Sequence, residues 1–164
     1  MIAEREIRIL INSERYEIEE SLFSEELDGD ALYSHNQTDA EPENMQIKTR
    51  GLFRITDDER VEISYAETEL TGMEGSDTVI SYSINKSGLV SMIRTGAVST
   101  TLVFEKGKRH HCVYKTPFMP FEVCVRTIDV KNELSSGGEL IIDYIVEIRG
   151  ARAERTKFSM KIMD

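Results

Sequence analysis

The feature that most constrains this chain is an alternation of apolar and polar residues that recurs in short segments along most of its length. In Glu4–Ile11, for example, Ile7, Ile9 and Ile11 fall on one side of the alternation. A period of two residues is that of a β-strand with one buried face. Similar segments follow from Met45 onward, separated by short polar or glycine-containing turns. The pattern therefore predicts an all-β fold of about ten strands.

Short turns make strands that are consecutive in sequence neighbours in the sheet. A long sheet with one apolar face must then curl or stack to bury that face and its edges. We predict an antiparallel up-and-down β-barrel of about 8–10 strands. A two-sheet sandwich is the alternative. At most one short helix is expected, near the N-terminus, within Ser13–Leu27. Its apolar side would be formed by Ile18, Leu22, Phe23 and Leu27.

The stretch Leu89–Pro117 is predicted to form three consecutive strands joined by two tight turns. A two-residue turn at Thr95-Gly96 would pair Ile93 with Val98. This stretch would then lie at the centre of the meander.

Two further details of pairing follow from the turn chemistry. A three-residue loop that ends in Gly107, in the left-handed region, would place Leu102 opposite His110. In Phe121–Val130 the alternation changes phase near Thr127, which predicts a β-bulge there.

The net charge of −10 is concentrated in one segment. Residues 12 to 44 contain eleven acidic residues and one basic residue, whereas the remainder contains nineteen of each sign. We predict a single domain over residues 1–164 with an acidic loop or insertion at about 13–44. The acidic segment is a candidate site for a protein partner. Because no basic stripe is present, we expect no nucleic-acid partner.

The bulk features also indicate a compartment. No apolar run approaches the roughly 20 residues of a membrane helix, and the N-terminal residues lack the pattern of a secretory signal. We therefore expect a cytoplasmic protein that does not enter a membrane. The two cysteines, Cys112 and Cys124, do not form a CxxC pair, and we expect both to be reduced. The sequence does not indicate the oligomeric state.

Several short motifs resemble those of a known family. They are the run from Tyr65 to Gly72 with Gly75, the Arg94-Thr95-Gly96 turn, Phe104 with Gly107, Tyr114-Lys115-Thr116-Pro117, and the region of Gly137-Gly138-Glu139-Leu140 and Tyr144. In these residues the chain resembles the YwiB-like family of uncharacterised bacterial proteins, over the first strand and from Met45 to the C-terminus. The resemblance implies a calycin-type β-barrel, the broad architecture of lipocalins and fatty-acid-binding proteins. It implies no function, because fold alone does not specify one.

Polar side chains on the predicted inward faces are the candidates for a ligand site. A guanidinium such as that of Arg94, beside a glycine turn, can bind a carboxylate through two hydrogen bonds. The alternative is an ion pair at the barrel rim with Glu67 or Glu69. The inward tyrosines are either part of the same site or core residues whose hydroxyls reach the barrel ends. The candidate ligand-binding residues are Arg94, His110, Tyr114, Thr116, Tyr65, Arg126 and Tyr144.

A metal site is not expected. The adjacent residues His110 and His111 point to opposite faces of a strand and cannot bind one ion. His110 and Cys112 share a face, and Cys124 would join them in only one of the two possible registers. We predict no metal and no cofactor. Because the common nucleophile and nucleotide-binding motifs are absent, no catalytic residue is assigned and the sequence favours a protein without enzymatic activity.

Two functions remain open at this point. A barrel of this size can enclose one small ligand, here a partly apolar, anionic, lipid-like molecule. Alternatively, large side chains such as Phe104 and Tyr144 fill the barrel, and the protein acts as an interaction or structural module through its acidic segment. The free volume inside the barrel distinguishes these two functions.

Overall fold

The computed structural model describes residues 3–18, 43–67, 75–148 and 153–163. A single turn of 3₁₀ helix, Leu134–Ser136, precedes the ninth strand. The described ranges include no helix that is long and apolar enough to cross a bilayer. Ten strands account for most of these residues: β1 (Ala3–Ile18), β2 (Glu43–Ile55), β3 (Arg60–Ala66), β4 (Ser76–Ser83), β5 (Lys86–Gly96), β6 (Thr100–Glu105), β7 (Arg109–Lys115), β8 (Pro120–Asn132), β9 (Glu139–Ile148) and β10 (Ala153–Ile162).

All ten strands belong to one antiparallel sheet. Their order is β6-β5-β4-β3-β2-β1-β10-β9-β8-β7, so every hydrogen-bonded neighbour except β1 and β10 is also a neighbour in sequence. The pairing of β1 with β10, from Ile9↔Ile162 to Ile18↔Ala153, joins the two halves of the meander. The sheet therefore curls into a nearly closed barrel. The predicted up-and-down barrel is confirmed, and the sandwich alternative is wrong.

The first strand shows how the alternation of apolar and polar residues produces the wall of the barrel. Ile7, Ile9 and Ile11 are almost completely buried inside the barrel. The strand continues to Ile18, beyond the point at which its apolar alternation ends. The first residues of the predicted acidic loop and of the suggested short helix, Ser13 to Ile18, are thus strand. The remainder of both segments, from residue 19 to 42, lies outside the described residues.

The core is the inner surface of the barrel, and every strand contributes to it. Full burial of these apolar side chains supplies the main driving force for folding, roughly 25 cal/mol for each Å² removed from water. The largest side chains that are fully buried belong to Ile7, Ile9, Ile63, Ile80, Tyr82, Met92, Leu102, Phe104, Leu140 and Ile142.

The predicted register of β5 with β6 is wrong. Ile93 lies opposite Thr101 rather than Val98, and Leu89 lies opposite Glu105. The reason is Gly96, which is still inside the β4–β5 ladder, opposite Ser76. Gly96 has φ of +127°, and a Cβ there would lie 2.3 Å from the carbonyl oxygen of Gly75. The glycine therefore permits a close approach of two strands, and the turn falls at residues 97–99.

The predicted hairpin of β6 with β7 is also wrong. Leu102 does not pair with His110; one isolated bridge joins Ser99, directly before β6, to Lys115 at the end of β7. Its two backbone hydrogen bonds, each 2.9 Å, connect the strands at one end of the barrel only. We call this interval between β6 and β7, where the ladder is interrupted, the β6–β7 seam.

The loop after β6 explains the seam. Gly107 adopts the predicted left-handed conformation, with φ of +77°. However, its amide donates to the carbonyl of Thr127 on β8, and the amide of Thr127 donates to the carbonyl of Lys108. The chain that leaves β6 is thus hydrogen-bonded to β8 at this turn, and β7 returns beside β6 without forming a ladder with it.

The β-bulge predicted near Thr127 is confirmed. The register of β8 with β9 shifts between Thr127 and Asp129. Up to the bulge, Val125 and Thr127 are buried on the inner face, and after it Val130 packs against the core. The extra residue at a bulge bends and twists a strand, which here helps the end of the sheet to curl.

We predict that Gly96→Ala destabilises the fold by more than about 2 kcal/mol, because a side chain at this φ is strained and its Cβ would overlap the backbone of Gly75. The matched control is Gly88→Ala, where no atom lies within 4 Å of an added Cβ. This control should change stability by less than about 0.5 kcal/mol. Urea denaturation measures both, and equal midpoints for the two variants would contradict the prediction.

Candidate functional site

The interior contains a cavity of about 280 Å³ at one end of the barrel. We call it the Arg94 cavity. It lies where β1 ends and β2 begins, at the same end as the turn between β5 and β6. Its apolar lining includes Ile11, Met45, Ile47, Met92, Leu102, Val123, Val146 and Phe158, and its polar lining comprises Ser13, Arg15, Tyr65, Glu67, Arg94, Tyr114, Tyr144, Glu154 and Thr156.

A buried ion pair occupies one wall of the cavity. Arg94 on β5 is 8% exposed, and Glu67, directly after β3, is 7% exposed. The Nε of Arg94 lies 3.4 Å from Oε1 of Glu67 and donates to the hydroxyl of Thr78 at 3.2 Å. The Thr78 hydroxyl in turn donates to Oε1 of Glu67. Each charge is therefore both paired and hydrogen-bonded, which is the condition for burying it.

Three adjacent strands position this pair. The register places Thr78 opposite Arg94 and Tyr65 opposite Thr78, so the inward parity brings all three to one level of the wall. Glu67 is held at that level because its amide donates to the carbonyl of Ser76, at 2.9 Å. The relative positions of these side chains are thus set by the register of the strands and not by the conformation of a loop.

The remaining contacts of the guanidinium are with uncharged groups. Nη2 of Arg94 lies 3.4 Å from the sulfur of Met92, and a thioether is a weak hydrogen-bond acceptor. Tyr114 on β7 also hydrogen-bonds to Arg94. Among the described residues, Glu67 is the one carboxylate within 4 Å of Arg94. The two Nη groups therefore remain suited to a further anionic acceptor in the cavity.

The three tyrosines that line the cavity are held in the neutral form. Burial raises the pKa of Tyr65, and the nearby carboxylate of Glu67 raises it further. Burial raises the pKa of Tyr114 to about 12, although its hydrogen bond to Arg94 opposes part of the rise. Burial also raises the pKa of Tyr144. Near neutral pH these phenols are therefore hydrogen-bonding groups without charge.

Four of the seven candidate residues meet at this cavity: Arg94, Tyr65, Tyr114 and Tyr144. The ion pair suggested for Arg94 forms with Glu67, but it is buried in the wall, not exposed at a rim. The inward placement of the tyrosines follows directly from strand parity.

The structure does not bring the other three candidates to the cavity. His110 is on the inner face, opposite Val125, with its Nε2 buried and without a hydrogen-bond partner among the described residues. The hydroxyl of Thr116 donates to the carbonyl of Met119 at 2.9 Å and stabilises the turn after β7. Arg126 precedes the bulge, so it lies on the face opposite to Val125.

The same register separates the two cysteines. Cys124 lies opposite His111 and Cys112 lies opposite Val123, so the two thiols are on different faces of the sheet. The combination of His110, Cys112 and Cys124 at one point does not occur. No cluster of three or more His, Cys, Asp or Glu suited to a metal ion is found within the described parts of the chain.

Sequence reasoning missed four polar residues of the cavity: Ser13, Arg15, Glu154 and Thr156. Arg15 continues the inward parity of Ile11 and Ser13, but the change to polar residues was interpreted as the end of the strand. The local sequence carries no signal for these positions, since the apolar residues of the alternation end at Ile11. Its partner strand β10, which carries Glu154 and Thr156, could have been placed beside β1 only by knowing how the barrel closes.

A ten-stranded antiparallel barrel with a part-polar internal cavity thus defines the class of protein. Residues 31–160 match the family described as a domain of unknown function, DUF1934, and the chain belongs to this family. The fold is similar to that in the crystal structure of the YwiB protein from Bacillus subtilis, with a TM-score of 0.63 and 17% identity, covering 97% of this chain and 94% of that one. A comparison with curated proteins gave no match. The resemblance to the YwiB-like family is therefore confirmed, while a likeness at this identity shows the fold alone.

We predict that Arg94→Met lowers the free energy of unfolding by about 3–5 kcal/mol, because it leaves Glu67 buried without its cation. The double variant Arg94→Met/Glu67→Gln should recover most of this loss, since neither buried charge remains. Urea denaturation of the two variants provides the comparison. A double variant that is no more stable than the single one would show that the ion pair does not account for the loss.

The tyrosines give a spectroscopic prediction. An ordinary phenol ionises near pH 10, whereas Tyr114 should stay largely protonated in the folded protein at pH 11, and the pKa values of Tyr65 and Tyr144 should also lie above the ordinary one. Because the folded-state pKa of Tyr114 is raised, its contribution to stability is complete below pH 10 and is lost between about pH 10 and 12. Absorbance at 295 nm measures phenolate. Tyr114→Phe should leave the native signal at pH 11 unchanged and should lower the signal of the unfolded protein.

Proposed function

We propose that this protein binds a small, partly apolar ligand with an anionic group inside the barrel, at the Arg94 cavity. One observation carries the proposal: a buried guanidinium lines a cavity in which eight apolar side chains stand beside a smaller number of charged and hydroxyl-bearing ones from the surrounding strands. Binding pockets for small molecules combine such an apolar lining with a few placed polar groups. Arg94 would hold the anion, and Tyr114 beside it would add a neutral hydrogen bond.

The dimensions and chemistry of the cavity narrow the ligand class. Its volume, about 280 Å³, lies at the lower end of the range typical of small-molecule pockets, roughly 300–1,000 Å³. A short acyl chain or a single aromatic ring suits this volume better than a large lipid. A carboxylate suits the planar guanidinium, which can donate two parallel hydrogen bonds to it. We therefore propose a short-chain or aromatic carboxylate.

The alternative function is an interaction module with a filled barrel. The concentration of negative charge in residues 12–44 supports that alternative, and the Arg94 cavity argues against a completely filled barrel. Deleting residues 19–42 distinguishes the two functions. Loss of captured protein partners together with unchanged carboxylate binding would show both activities in one chain, and no change in partners would remove the alternative.

The direct test is calorimetric titration of the full chain with octanoate and 3-phenylpropanoate. We expect at least one of them to bind, and Arg94→Met/Glu67→Gln to weaken its binding by tenfold or more. The double variant is chosen because it removes the guanidinium without leaving a buried carboxylate unpaired. Arg126→Gln is the matched control, because Arg126 lies on the opposite face of the sheet and its loss should leave the affinity within twofold.

Native mass spectrometry of the purified protein complements this titration, because a ligand retained from the cell adds its mass to the protein. Absence of any copurified molecule, of binding to both carboxylates and of a thermal shift with either would overturn the proposal. Equal affinity in the wild type and in Arg94→Met/Glu67→Gln would remove Arg94 as the anchor.

A further inference from the structure

The ion pair in the cavity wall uses only one edge of the guanidinium. The carboxylate of Glu67 and the hydroxyl of Thr78 both contact Nε of Arg94, at 3.4 Å and 3.2 Å. Nη2 lies 3.4 Å from the sulfur of Met92. Glu67 therefore neutralises Arg94 from the side of Nε, while the other partners of the guanidinium, the sulfur of Met92 and the side chain of Tyr114, carry no charge. An anion in the cavity would share one guanidinium with a protein carboxylate.

Among the described residues, the charges that face the cavity balance each other. Arg94 on β5 and Arg15 on β1 are the cations, and Glu67 after β3 and Glu154 on β10 are the anions. The tyrosines from β3, β7 and β9 are neutral, as shown above. An anionic ligand would consequently give the cavity one excess negative charge, and Glu67 would be the carboxylate closest to it through their common partner.

We infer that Glu67 limits the affinity of the cavity for anions and thereby sets its selectivity between charged and neutral ligands. This inference rests on the proposed function. Two carboxylates that share one buried guanidinium repel each other, and the repulsion is only weakly screened by solvent at such a depth. The pair orients Arg94 and at the same time makes binding of an anion weaker and more readily reversible than binding to an unpaired arginine.

Glu67→Gln tests this inference with two matched ligand pairs: octanoate with octanamide, and 3-phenylpropanoate with its amide. Glutamine has nearly the same shape and can still accept the hydrogen bond from Thr78, but it has no charge. We expect the affinity for the carboxylates to rise tenfold or more and the affinity for the amides to stay within twofold. The ratio of carboxylate to amide affinity is therefore the decisive quantity.

Glu154→Gln is the control for general electrostatics, because Glu154 also lines the cavity but lies beyond 4 Å from Arg94 in the described structure. It should raise carboxylate affinity by less than threefold. An equal rise in both glutamine variants would overturn the inference, since net charge alone would then explain the effect.

The failures of the two proposals are distinguishable. If wild-type protein binds octanoate through Arg94 but Glu67→Gln binds it no better, the proposed function stands and the role of Glu67 is overturned. If neither protein binds any of the four compounds, both proposals fail. Should Glu67→Gln not fold, Glu67→Asp withdraws the charge by one methylene, and a gain of at least twofold in carboxylate affinity would support the inference while an unchanged affinity would overturn it.

Discussion

The ladder between β1 and β10 is the interaction on which the barrel depends. All other ladders join strands that are consecutive in sequence, and such pairs form locally. Only β1 with β10 brings together residues from opposite parts of the chain, and it does so over ten residue pairs, from Ile9↔Ile162 to Ile18↔Ala153. Closing a long loop has an entropic cost that must precede any gain from the pairing. Without this ladder the meander would remain an open sheet with both edges exposed.

The number of strands, their faces and the bulge near Thr127 could be predicted because they depend on the period of two, which each strand carries in its own residues. The registers around Gly96 and Gly107 could not. A glycine at a turn and a glycine at a close strand contact look alike in sequence, and the difference lies in Gly75 across the ladder. The same limit applies to the cavity: the inward parity identified Arg94 and the tyrosines, whereas Arg15 and Glu154 required knowledge of how the barrel closes.

The Arg94 cavity also shows a balance between stability and binding. Removing Arg94 and Glu67 from water has a cost that their mutual attraction only partly offsets. An apolar pair of similar volume would have filled the wall without that cost. A charged pair beside a free volume is therefore better explained by the proposed ligand than by the needs of the fold. The hydroxyl of Thr78 contacts both charged groups and fixes their relative position. These hydrogen bonds lower the free-energy cost of burying the pair.

The β6–β7 seam has a mechanical consequence. A fully bonded barrel has a circumference fixed by its ladders, and any change in width must break a row of hydrogen bonds. In the described wall, the ladders are interrupted at the β6–β7 seam. The Ser99↔Lys115 bridge connects the two sides at the cavity end. At the other end, the amide of Gly107 donates to the carbonyl of Thr127. Between these two ends, no ladder of hydrogen bonds joins β6 to β7. Widening the barrel along the seam would therefore break fewer hydrogen bonds than widening it between two laddered strands, and Leu102 and Tyr114, which line the cavity, lie beside the seam.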